Sequence, residues 1–246
     1  MPRGGVPVLA TRLTSVGAGA IAATNSVTTG TVDTTGGDFI VGGTSEYAPG
    51  TVGTPSDNKS NTMSLATNRG TLDARGRIFY KSAPSVGSGH TFSDNSSTAT
   101  YPAIAAMTFR GLAPSPFDVE NGATSGNTAV ATLACGSIKP STGNALVFAV
   151  LSYDGGTITN LAISGGFTID THVAYNVGKS LGLAIAWKIH SAGDINPTWT
   201  WTTARLASAA LAAFKTQNML NRRTGFGPLS RRSAGTSGPP LSRSIA

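Results

Sequence analysis

Residues 204–214 read Ala204-Arg205-Leu206-Ala207-Ser208-Ala209-Ala210-Leu211-Ala212-Ala213-Phe214, a run that is either a helix in a mixed protein or a buried strand in an all-β one. Taken alone it is rich in the best helix formers. Periodicity cannot separate a buried strand from a helix here, because almost every position is apolar. Its surroundings can. The stretch follows Thr198-Trp199-Thr200-Trp201, an alternating strand pattern, and ends in an aromatic and a basic residue, Phe214-Lys215. Another Ala-rich stretch, Tyr101 to Phe109, follows Thr91-Phe92 and ends in Phe109-Arg110. Position by position, the parity favours a buried final strand in each case.

The pairing extends outward from there. Gly37-Asp38-Phe39-Ile40-Val41 aligns with Gly143-Asn144-Ala145-Leu146-Val147, and Asn61-Thr62-Met63 with Phe167-Thr168-Ile169, both at a spacing of 106 residues. Tyr80-Lys81 aligns with Trp187-Lys188, and Thr91-Phe92 with Thr198-Trp199. Near-constant spacing marks one supersecondary unit used twice. The pattern predicts five strands per unit, in halves at about 30–113 and 137–216, and two packed sheets. Segments 43–60 and 112–128 read as long loops. Phe39, Ile40, Leu65, Phe79, Ile104, Phe109, Leu146, Phe148, Ile169, Leu183, Ile185 and Phe214 are the expected core.

Composition agrees with an all-β chain. Of 246 residues, 33 are Thr, 26 Ser and 31 Gly, while charged residues make up only 12%. That excludes a helical bundle, which needs abundant Glu, Lys, Leu and Arg. An apolar content of 39% with little charge excludes disorder throughout. No apolar run approaches the ~20 residues of a membrane span, and no signal peptide is expected behind Met1-Pro2-Arg3. Cys135, the single cysteine, reads as a small buried hydrophobe.

The net charge of +7 is unevenly spread. Residues 217–246 hold five arginines (Arg222, Arg223, Arg231, Arg232 and Arg243) and no acid; residues 1–29 hold Arg3 and Arg12 and no acid. The domain reading is an N-terminal arm 1–29, a β-sandwich 30–216 and a basic C-terminal arm 217–246. Basic arms on a near-neutral body suit docking onto an acidic surface. In the C-terminal arm, Arg222, Arg223, Arg231, Arg232 and Phe226 are the expected contacts. Nucleic acid is not the expected partner, because the arm has one aromatic and no compact basic run.

Catalytic chemistry needs clustered titratable groups. His90, His172 and His190 are far apart and show no metal-ligand spacing, so no metal or cofactor is expected. Asp118 and Glu120 would share a side of an extended segment, the arrangement of a glycosidase acid and base or of a calcium loop. A lone Asp-x-Glu is a weak signal, and no enzyme is expected. Trp199 and Trp201 share one side of their strand. They read first as core, with glycan or subunit contact as the alternative, in which Tyr47 would join them.

Several of these stretches together resemble the β-sandwich proteins found among tailed-bacteriophage virion components. The residues are Gly37-Asp38-Phe39-Ile40-Val41, Asp57-Asn58-Lys59-Ser60-Asn61-Thr62, Arg77 to Lys81, Gly89-His90-Thr91 and Ala103 to Gly111. The likeness spans roughly residues 30–215, and its motifs are turns rather than chemistry. Gly42-Gly43 departs from it, standing where a longer apolar strand belongs. The resemblance implies a jelly-roll-like sandwich and a structural role in the virion, as head decoration or tail accessory. Its implied partners are other virion proteins and copies of the chain itself. The alternative is a tail adhesin that binds a host-surface glycan, with no membrane partner in either case.

Overall fold

The computed structural model describes residues 9–50, 52–71, 73–155, 157–170 and 181–217. Among them there is no helix. Sixteen strands run in chain order: β1 Thr11–Gly19, β2 Thr24–Thr28, β3 Phe39–Tyr47, β4 Thr54–Asp57, β5 Ser64–Gly70, β6 Ala74–Ser82, β7 Phe92–Thr100, β8 Ala103–Arg110, β9 Leu112–Thr124, β10 Val130–Ala134, β11 Ala145–Asp154, β12 Ala162–Ile163, β13 Thr168–Ile169, β14 Leu181–His190, β15 Thr198–Arg205 and β16 Ala207–Thr216. They form four antiparallel sheets, ordered β1-β8-β3-β6-β5, β2-β7-β4, β13-β14-β11-β16-β9 and β10-β15-β12.

The sheets stack in four layers. The two five-stranded sheets face each other through one core of Phe39, Val41, Ile78, Met107, Phe109, Leu146, Phe148, Val150, Ile185 and Phe214. On its other face, the first carries β2-β7-β4, held by Ile40, Phe79, Phe92 and Ile104. The second carries β10-β15-β12 over Val147, Ala149, Leu151, Tyr153, Trp199 and Trp201. β3 and β11 run in the same direction across the central interface: the rings of Phe39 and Phe214 lie 4.9 Å apart near one end, and Ser45 Oγ is 2.6 Å from Ser152 Oγ near the other.

This layering explains the sequence patterns. A strand covered on both faces has no polar side, so β11 reads as a continuous apolar run. The Ala-rich stretch is β16, a strand between β11 and β9 that is buried on both faces. Its alanines keep the middle layers close. Gly43 serves the same end, since a Cβ there would stand 2.6 Å from Val150 Cγ2, while Gly42 makes room on the other face for the Phe79 ring, which a Cβ would strike.

Several expectations need correction. The described residues form sixteen strands rather than ten, with β3 to β8 inside 30–113 and β11 to β16 inside 137–216. Residues 11–28, inside the segment expected as an arm, form β1 and β2. β3 runs through to Tyr47, and β4 interrupts the first expected loop. The second is β9, whose Pro114 and Pro116 read as loop residues. As an edge strand paired only with β16, it can lack their amide donors. The strand expected over 61–67 is β5, displaced toward Gly70. Leu65 is 52% exposed and Ile169 half-buried; the other ten expected core residues are buried.

Candidate functional site

The polar residues gather in three places, each built by the strand ends that carry it. At one end of the first half, His90 bridges two loops. Its Nδ1 lies 2.8 Å from Thr34 Oγ1, its Nε2 lies 2.9 Å from Asp57 Oδ2, and its ring stacks on Phe92. Asp57 Oδ1 accepts the backbone N–H of Lys59 and of Asn61, which closes the turn after β4. Asn61 Nδ2 also donates to Asp57 Oδ2, at 2.6 Å, and Asn61 Oδ1 accepts the Ser85 amide. Thr, His and Asp in line are the residue types of a nucleophilic relay. Here the hydroxyl is already spent: Thr34 is fully buried, and its Oγ1 accepts from Gly87 N–H at 3.0 Å and donates to Gly87 O at 3.1 Å. The group is a clamp on the loops 30–37, 57–61 and 85–91.

Between the first five-stranded sheet and its three-stranded cover lies a buried ionic cluster. Arg77 donates through Nη2 to Glu46 and, at 3.1 Å, to Asp94 Oδ1; through Nη1 to the Gly53 carbonyl at 2.7 Å; and through Nε to Thr44 Oγ1 at 3.1 Å. Glu46 Oε2 accepts the Gly53 amide at 2.8 Å. One guanidinium thus serves two carboxylates, all three almost without exposure. Burial pushes the Asp94 carboxyl up, opposed by Arg77, and pulls the Arg77 guanidinium down, opposed by Asp94. A half-open pocket of about 180 Å³, lined by Gly53, Thr54, Pro55, Met63, Leu65 and Phe79, adjoins Arg77. Because the guanidinium is already committed, that pocket offers apolar walls rather than an anion site.

The third place is the rim between the two five-stranded sheets. Arg12 and Ser15 of β1 bond Asp170 beside β13, and Arg69 of β5 donates to Glu120 of β9 at 2.8 Å. Asp118 lies at the shift in β9 register. It accepts the Ser141 amide and hydroxyl, both at 2.6 Å, with Lys215 Nζ at 3.9 Å. The two carboxylates expected to share a side therefore have separate structural partners.

Trp199 is fully buried and Trp201 nearly so, both in the core beneath the second cover sheet, so neither ring presents a face to a sugar. Tyr47 is 42% exposed at the end of β3. Cys135 is buried, and burial pushes its thiol up to about 12, with the Trp199 indole pulling the other way. Among the described residues, no three His, Cys, Asp or Glu side chains are arranged so that they could hold a metal ion. Arg222, Arg223, Arg231, Arg232 and Phe226 lie outside the described residues.

Sequence reasoning missed the Glu46–Arg77–Asp94 cluster. A signal was there: Arg77 alternates with Phe79 and Asp94 with Phe92, which places each charge on the buried side of its strand. No protein-family model, no curated protein and no solved structure matches the chain.

Proposed function

We propose that the chain is a non-enzymatic structural component of a tailed-phage virion, a head decoration or tail-accessory protein. Its body is a duplicated jelly-roll-like sandwich, and residues 217–246 grip neighbouring chains. The observation that carries the reading is how the polar groups are used: the bonded Asp, Glu, His and Arg side chains at these three places clamp turns, cover sheets and rims. A protein whose task is to hold a shape uses its charges in this way, whereas a catalyst leaves some of them facing a cleft.

Strand order supports duplication. Adding eight to each label of β1-β8-β3-β6-β5 gives β9-β16-β11-β14-β13, and adding eight to β2-β7-β4 gives β10-β15-β12. β11 packs on β6 as β3 packs on β14, and β16 packs on β6 as β8 packs on β14, so these contacts recur when the halves are exchanged, while the broad contact of β5 with β9 has a much smaller counterpart where Arg12 of β1 bonds Asp170 beside β13. The strand pairing matches Phe39 with Leu146, a spacing of 107 rather than the 106 read from the sequence motif, and this exchange sets Glu46, Arg77 and Asp94 against Tyr153, Ala184 and Trp201.

Mass spectrometry of purified particles from an infected culture tests the role. The chain is expected in the particles at a fixed ratio to the major head or tail protein. Its absence from particles while it accumulates in the lysate overturns the reading, as does release of reducing ends from a polysaccharide by the purified protein.

A further inference from the structure

We infer that the molecule docks through one end, the end at Gly111, and that the surface it meets there is an acidic protein. This rests on the structural role proposed above and adds to it a face and a partner chemistry.

The chain's two exits flank Gly111. Leu9 leads into β1, whose Thr11 pairs with Arg110. At the other exit Thr216 of β16 pairs with Leu112, and the Gln217 amide donates to the Gly111 carbonyl at 2.9 Å. Residues 1–8 contain Arg3 and no acid, and the 29 residues after Gln217 contain five arginines and no acid. All of this positive charge is therefore tethered at one end of the body.

The body's own groups at that end carry both signs, with Asp33, Asp38, Asp118 and Asp194 beside Lys59, Lys81, Arg110, Lys188 and Lys215. Both oxygens of Asp38 accept backbone amides, from Gly111 at 2.8 Å and Leu112 at 3.4 Å, and Asp118 is taken up by Ser141 and Lys215. Arg110 is exposed and Lys81 half-exposed, and neither has an ion-pair partner among the described residues. Hydrogen bonds hold the Asp38 and Asp118 carboxylates in place without removing their charge, and Asp194 in the loop after β14 is exposed, so the excess of positive charge at this end comes from the two arms, with Arg110 and Lys81 beside them. Apolar contacts are available beside them: Leu9 is 54% exposed, and Phe117, stacked on Tyr80, is 36% exposed.

Exposed apolar side chains among separate arginines suit a protein surface carrying carboxylates, which Arg binds in bidentate fashion. A nucleic-acid track would call for denser charge and stacking platforms.

The test measures binding of the full-length chain to immobilised poly-L-glutamate and to duplex DNA across a salt series. Three proteins are compared: the unaltered chain, Lys81→Ala with Arg110→Ala, and Asn68→Asp with Thr203→Asp. The last pair makes the same change in net charge at exposed positions further toward the other end. The expected result is tighter binding to polyglutamate than to DNA. The Lys81/Arg110 pair should weaken that binding about fivefold at low salt, and the control pair less than twofold. Equal losses from the two pairs overturn the docking face, and tighter binding to DNA overturns the partner chemistry. No particle enters the measurement, so its failure is distinct from absence of the chain from virions.

Discussion

At the scale of single residues, the buried charges give the sharpest expectations. Replacing Arg77 with Met leaves Glu46 and Asp94 without their cation and should cost about 3–5 kcal/mol in chemical denaturation at neutral pH. Asp94 behaves in the opposite sense. Burial raises its folded-state affinity for a proton above that of the unfolded chain, so its contribution to stability falls as pH rises from the ordinary Asp range through the raised value. Asp94→Asn removes that dependence. The variant should gain on the unaltered chain as pH rises above the ordinary Asp value of ~4, and a difference that stays flat with rising pH would refute the sign. Cys135 makes a simpler case. With its thiol pushed up to about 12 and buried, it should resist maleimide in the folded chain and react at once in denaturant.

Among the elements, β11 and β16 show what alternation can and cannot reveal. Leu146 sits in the central core with no exposure, and Leu146→Ala should cost about 2–5 kcal/mol. Leu65→Ala, on the exposed side of β5, should change stability by no more than about 0.5 kcal/mol. Both are read from denaturant midpoints. Gly43→Val forces a branched side chain against Val150 and should destabilise by at least about 1–3 kcal/mol. The strands around Phe39, Phe79, Ile104 and Leu146 were legible because continuous apolar runs bounded by Gly turns mark strands covered on both faces. β9 was not, because Pro114 and Pro116 carry a loop signal that an edge position overrides. β1 and β2 were hidden by small and polar residues, which are half-exposed or exposed along most of both strands. The Asp57–His90–Asn61 clamp joins residues up to 33 positions apart, a contact that no local pattern encodes.

For the whole molecule, removing residues 218–246 should leave the melting temperature nearly unchanged, since β16 ends at Thr216. It should lower occupancy on particles, and more steeply as salt rises. Equal occupancy of truncated and full-length protein across a salt series would sink the gripping role. The proposed duplication starts from the near-constant spacing of short motifs in the sequence, whereas the four-layer stack was not legible there, because which faces meet depends on contacts between distant strands. The placement of both exits beside Gly111 also has a mechanical consequence. Tension applied between Leu9 and Gln217 enters at the ends of β1 and β16 and opens their ladders one hydrogen bond at a time, starting from the pairs Thr11–Arg110 and Thr216–Leu112. Loading of this kind peels strands instead of shearing them. In a single-molecule pulling experiment the chain should yield at low force when held by its two termini and resist more strongly when gripped at opposite ends of β3. A body tethered by both tails to the same surface is spared that load, because the pull on it ends where it begins.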